Sequence, residues 1–129
     1  MWFELATNRK MIESMFLGGF PLDEIEVTKV AFEGGDLSIS FNTKDVPKKY
    51  PKKWNVNKFN AIHVTLRLSD VHKVDFSGKN TGWFSEFSFE EFDGGNKSII
   101  LNAEPFSMNC EFNFLTIVSV TPYEDIRWD

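Results

Sequence analysis

From residue 25 onward the apolar residues recur at every second position, in short runs separated by turn residues. That period belongs to β-strands with one face buried, because successive side chains on a strand point to opposite faces. The segments "LSISF" (37–41) and "AIHVTLRL" (61–68) show it most cleanly, with Leu37, Ile39 and Phe41, then Ile62, Val64, Leu66 and Leu68, on one face. "IEVTKVAF" (25–32) starts in the same way with Ile25 and Val27. Val30 and Phe32 then fall out of phase, which predicts a bulge near Thr28. "EGGD" (33–36) is a turn that makes a hairpin of these first two strands.

Further strands are expected at "HKVDFSG" (72–78), "GWFSEFSFEEF" (82–92), "KSIILNA" (97–103) and "EFNFLTIVSVTPY" (111–123), with turns at "DGGN" (93–96) and "EPFS" (104–107). The run 82–92 has large residues on both faces; in the last strand Phe112, Phe114, Val118 and Val120 fall in phase. Before the strands, "NRKMIESMFL" (8–17) reads as the one good helix. Thr7 or Asn8 is placed to cap it, and Met11, Ile12, Met15 and Phe16 form a stripe suited to packing on a sheet. "GGFP" (18–21) stops it. The expected fold is therefore mainly β (α+β): one N-terminal helix, then about seven antiparallel strands, as a sandwich or a strongly curved sheet. No crossover helices separate the strands, which argues against a parallel α/β sheet.

A chain of 129 residues fits a single domain, spanning 1–129. At this size folding buries roughly two thirds of the unfolded surface, enough to dispense with disulfides. Cys110 is the one cysteine, so no intrachain disulfide forms, and its place beside a strand suggests a buried, inert thiol. The first residues lack a basic start followed by an apolar core, so no signal peptide is expected. No apolar run approaches the ~20 residues of a membrane span. These features together predict a soluble, cytoplasmic protein.

The sequence offers little chemistry. His63 and His72 have no metal-ligand spacing to a cysteine or to each other, and His63 suits a cross-strand role on the polar face of its strand. The phosphate-loop, dinucleotide and nucleophile-elbow patterns are absent. Adjacent carboxylates occur at Asp23 and Glu24, Glu90 and Glu91, and Glu124 and Asp125. Neighbours on a strand face opposite ways, so Glu90 and Glu91 are poorly placed to share a substrate, and solvated charge is the simpler reading of all three pairs. The expectation is a non-enzyme with no metal and no cofactor.

Charge is distributed unevenly. "KDVPKKYPKKWNVNK" (44–58) holds six lysines and one aspartate, a net +5, in a chain of net charge −5; the remainder therefore carries −10. Lysines interleaved with Tyr50 and Trp54 are what a single-strand binder would use. The acidic remainder would repel a polyanion, however, and Pro47 and Pro51 suit an extended strand-connecting loop in which Trp54 packs inward. Nucleic acid is thus an unlikely partner. The densest acidic cluster is Glu86, Glu90, Glu91 and Asp93, where no basic residue lies between Lys79 and Lys97. Glu86 and Glu90 share one face of the expected strand. The cluster suits a basic protein partner, with Trp83 as an aromatic anchor. The competing readings are edge charges that discourage aggregation and, for Trp83, core packing.

One order of segments resembles a known family. "PLDEIEVTKVAF" and "DLSISFN" precede the proline-spaced "VPKKYPKKW", then "FNAIHVTLRLSDVHKVDFSG" and a last strand ending in "PYED". In this the chain resembles the immunity protein 50 family of bacterial polymorphic toxin systems, over nearly its whole length. The resemblance implies a cytoplasmic bacterial protein that binds and neutralises a cognate toxin domain, and it assigns no contact residues. The alternative is a stand-alone β interaction or ligand-binding module, self-associating through an exposed strand edge.

Overall fold

A computed structural model describes residues 2–16, 19–20, 24–47, 49–84, 88–102 and 106–128. The described residues form one short α-helix, α1 (Lys10–Met15), and nine strands: β1 (Ile25–Glu33), β2 (Asp36–Thr43), β3 (Ala61–Ser69), β4 (Lys73–Gly78), β5 (Trp83–Phe84), β6 (Ser88–Glu91), β7 (Lys97–Asn102), β8 (Phe106–Phe112) and β9 (Phe114–Tyr123). Two antiparallel sheets result, with strand orders β5-β1-β2-β3-β9 and β4-β8-β7-β6. One buried apolar cluster draws on both, with Leu37, Ile39, Phe41, Leu66 and Leu68 from the first sheet and Ile99, Leu101, Met108, Cys110 and Phe112 from the second. The mainly β, antiparallel expectation holds.

The hairpin of β1 and β2 forms as the alternation predicts. The register slips between Val27 and Lys29, and this bulge at Thr28 brings Val30 and Phe32 opposite Ile39 and Leu37, back onto the face of Ile25 and Val27. Gly34, at φ +65°, makes the turn in a conformation that L side chains rarely adopt. Val64, Leu66 and Leu68 of β3 are fully buried.

Two long runs do not stay in one strand. The expected strand 82–92 is β5 at the edge of the first sheet and β6 at the edge of the second. The expected strand 111–123 breaks at Asn113, where β8 of the second sheet becomes β9 of the first. The break changes the phase: Phe112 is fully buried, but Phe114 and Val118 are exposed, and Leu115 and Ile117 point inward in their place. β8 also begins at Phe106, inside the segment read as a turn. The splits at 82–92 and 111–123 raise the strand count from about seven to nine.

The two links between sheets that flank β3 and β9 meet at one corner. Asp70, at φ 55°, leads β3 toward β4. The Asn113 backbone N–H donates to the Ser69 carbonyl at 3.2 Å, and its side-chain amide donates to the Asp70 carboxylate. The Lys97 ammonium, buried under the same corner, donates to the carbonyls of Asn113 (2.7 Å) and Gly95 (2.9 Å).

The helix is shorter than expected and is not capped as expected. Its N-cap is Arg9, and no side chain caps it. Asn8 instead makes two hydrogen bonds with the Ile117 backbone, accepting its N–H at 2.9 Å and donating to its carbonyl at 2.8 Å. Ala6 bridges Leu115 in parallel, and the Thr7 N–H donates to the Leu115 carbonyl. Residues 6–8 thus cover part of the β9 edge, a use of polar side chains that competes with capping. Ile12, Met15 and Phe16 are buried, as the stripe predicts, and Phe16 stacks on Phe20 at 4.0 Å. The Met11 side chain, Leu17, Gly18 and Pro21 lie outside the described residues.

Candidate protein-interaction surface

The acidic cluster does not lie along one strand. Glu90 and Glu91 are exposed on β6, and Asp93 is exposed in the 3-10 turn Asp93–Gly95 that follows. Glu86 lies outside the described residues, so its sharing of a face with Glu90 does too. Glu90 faces Ser98 on β7, which faces Glu111 on β8, which faces Lys73 on β4. Cross-strand partners share a face, so Glu90 and Glu111 flank Ser98 on the outer side of the second sheet. Glu91 points the other way, opposite Lys97, and its carboxylate lies 4.0 Å from the Lys97 ammonium.

Trp83 belongs to the other sheet. It pairs with Glu26 at the edge of β1 and is 45% exposed, which removes the core reading for this residue. The Arg127 guanidinium lies 5.7 Å from the centre of its ring, within cation–π range.

Arg127 joins a network that sequence reasoning missed. Trp83, Glu26, Asn42, His63 and Thr121 occupy one rung across the five strands of the first sheet. The Asn42 amide donates to Glu26 at 3.3 Å, so its oxygen faces the imidazole of His63, which places the ring proton on Nδ1. Burial pushes the His63 pKa down, consistent with a neutral ring in the cross-strand role expected of it. Arg127 donates to both Glu26 oxygens, at 2.8 and 3.1 Å, and to both Asp125 oxygens, at 2.6–3.1 Å. Asp125 is buried, with its backbone N–H donating to Asn60 at 2.7 Å; it is not the solvated strand-end charge expected.

The Arg127 hydrogen bonds hold Asp125 down to about pKa 2 and lower that of Glu26. Carboxylates shifted this way stabilise the fold above their unfolded pKa, near 4, and lose that contribution as pH falls through the folded value. An Arg127→Gln variant should therefore be less stable than the parent near neutral pH. The gap should narrow as the pH falls from about 4.5 towards 2. Urea unfolding across this range measures it, and a gap independent of pH would mean that Arg127 acts through packing alone.

Cys110 is buried, and burial with the neighbouring Glu111 pushes its thiol up to about 12, as expected of an inert cysteine. Among the described residues no three His, Cys, Asp or Glu side chains converge as metal ligands, and no helix is long and apolar enough to cross a membrane. In the lysine segment, Trp54 sits buried in the 3-10 helix Lys52–Val56, as expected, stacked on Tyr50 and edge-on to Phe59.

Trp83 thus stands half-exposed beside Arg127 on one sheet, and Glu90 and Glu91 are exposed on the other. No curated protein and no solved structure matches the chain. The family model for Immunity protein 50 matches residues 8–123, from the last of the residues that cover the β9 edge to the end of β9. On that match across nearly its whole length, the chain belongs to the immunity protein 50 family.

Proposed function

We propose that this chain binds and neutralises a cognate toxin domain of a bacterial polymorphic toxin system, acting in the cytoplasm as an inhibitor without catalysis of its own. The family match over residues 8–123 carries this reading. The contact surface proposed is the acidic edge of Glu86, Glu90, Glu91 and Asp93, with Trp83 as the aromatic anchor. Exposure of Glu90, Glu91 and Asp93 supports it, as does the half-exposed Trp83. Toxins that attack nucleic acid need basic clefts, and an acidic inhibitor is steered to such a cleft by long-range attraction. A standard interface takes only about 800 Å² per partner, a small part of the 7557 Å² this chain exposes.

The test is co-expression with the toxin domain encoded beside this gene, followed by pull-down and growth. Stable binding with rescue is the expected result. Charge reversal at Glu90 and Glu91 should weaken binding at least ~10-fold and flatten its salt dependence. Unchanged affinity in a folded variant would take those residues out of the interface. Two soluble proteins that neither bind nor rescue would overturn the pairing.

A second reading, self-association through a strand edge, is favoured by β4. It ends its sheet, five of its six residues are exposed, and no strand pairs with its far side among the described residues. A molar mass that rises with concentration in light scattering would support it.

A further inference from the structure

The lysine segment and the end of β9 enclose a groove of about 640 Å³. This is within the ~300–1,000 Å³ of ordinary ligand sites. One wall carries Trp54 and Phe59, with Lys53 and Lys58 at the rim; the other is formed by residues 120 to 123 of β9. Alternate side chains of a strand point to opposite faces, so four consecutive lining residues place the groove along the strand's edge. Residues 6–8 meet that edge only at Leu115–Ile117. Farther along, no strand pairs with it among the described residues.

The backbone of this edge limits what can bind. Asn60 donates its N–H to the Tyr123 carbonyl, so Tyr123 turns toward β3, and Val120 and Pro122 turn toward the groove. Pro122 has no N–H to give. The edge therefore offers two carbonyls and a single donor, from Val120. A short extended segment can lie there, whereas a long ladder cannot propagate past the proline.

Charge and ring geometry select the ligand. The groove lies beside the most basic stretch of the chain, +5 over residues 44–58, on a chain otherwise at −10. Lys58 is tied to Glu124, at 3.6 Å with its side chain 83% exposed, a pair weak enough to exchange for a ligand carboxylate. Trp54 is 6% exposed, stacked on Tyr50 at 5.7 Å and edge-on to Phe59. Its faces are spent inside the cluster, which opposes base stacking and leaves a rigid apolar wall.

We propose that this groove binds a short, extended acidic segment of a partner protein. Its carboxylates meet Lys53 and Lys58, and an apolar side chain between them lies against Phe59 and Pro122. The site uses none of the residues in the proposed toxin contact, so the two stand or fall separately.

The probe is a short fluorescein-labelled peptide alternating aspartate with leucine and phenylalanine, titrated at low salt beside a labelled oligothymidylate of equal charge. The peptide should bind saturably and more tightly than the oligonucleotide, and K53E/K58E should weaken it at least ~10-fold. On the unaltered protein, amide NMR shifts should centre on Val120, the one groove-facing donor of the edge, and on Phe59 opposite it, a readout that needs no variant. The proposal fails if the peptide does not bind, if shifts centre elsewhere, or if K53E/K58E binds equally well. Tighter oligonucleotide binding would give the groove to nucleic acid. A dimer lost in K53E/K58E, without peptide binding, would give it to a second copy of the chain.

Discussion

Replacing Phe112 by alanine should cost about 3–5 kcal/mol of stability, whereas the same change at Phe114 should cost less than ~1 kcal/mol. The two residues are two positions apart in one run of strand-forming residues, and an unbroken strand would put both on the same face. The break at Asn113 separates them: Phe112 is fully buried in the second sheet, and Phe114 is 53% exposed at the start of β9. Truncating Phe112 removes buried ring surface and leaves a cavity that its neighbours fill only in part. The loss is large against the ~5–15 kcal/mol that holds a domain of this size together. Urea denaturation of both variants measures the contrast. Equal costs would mean that the strand runs straight through Asn113.

This contrast also shows where the sequence was readable. The hairpin of β1 and β2, its bulge and β3 were legible because one face of each strand is buried and the other polar, so the side-chain pattern reports the pleat directly. Even the phase slip at Thr28 carried information. The runs 82–92 and 111–123 misled for the opposite reason. Their β-forming residues continue through the points where the chain changes sheet, and local preference does not record which sheet a residue joins. Large residues on both faces of 82–92 were the available signal, since one strand in a two-layer fold seldom buries both. Thr7 and Asn8 had the right side chains for a helix cap. A neighbouring strand edge claimed them, and no local pattern encodes that edge.

The candidate surface was legible in part. Glu90, Glu91 and Asp93 are exposed, and Trp83 is far more exposed than the competing core reading allowed. Hidden from the sequence were Glu26, Asp125 and Arg127. Arg127 lies 101 positions from Glu26, and only the register of β5 on β1 brings Trp83 to the same place. Short-range spacing finds motifs that act within a turn or a strand. It is blind to a rung assembled from five strands and a returning C-terminal segment.

Lys97 shows the same blindness with a larger consequence. In the sequence it only marks the end of an acidic stretch. In the fold it is 9% exposed, and its ammonium holds the carbonyls of Gly95 and Asn113 at the corner where β8 passes into β9. Lys97→Met keeps most of the buried stem but removes the donor, leaving two carbonyls short of a charged partner. Hydrogen bonds to charged groups contribute about 1.5–3 kcal/mol each, and losing the desolvation cost of the ammonium offsets part of that. The expected net loss is about 2–4 kcal/mol. Glu91→Gln should cost under ~0.5 kcal/mol, because that carboxylate is 4.0 Å away and its side chain is 56% exposed. Urea unfolding of the two variants separates the roles. If Glu91→Gln matches Lys97→Met, the ion pair is what matters; if only Lys97→Met is damaging, the ammonium acts as a clamp on the backbone where the chain changes sheet.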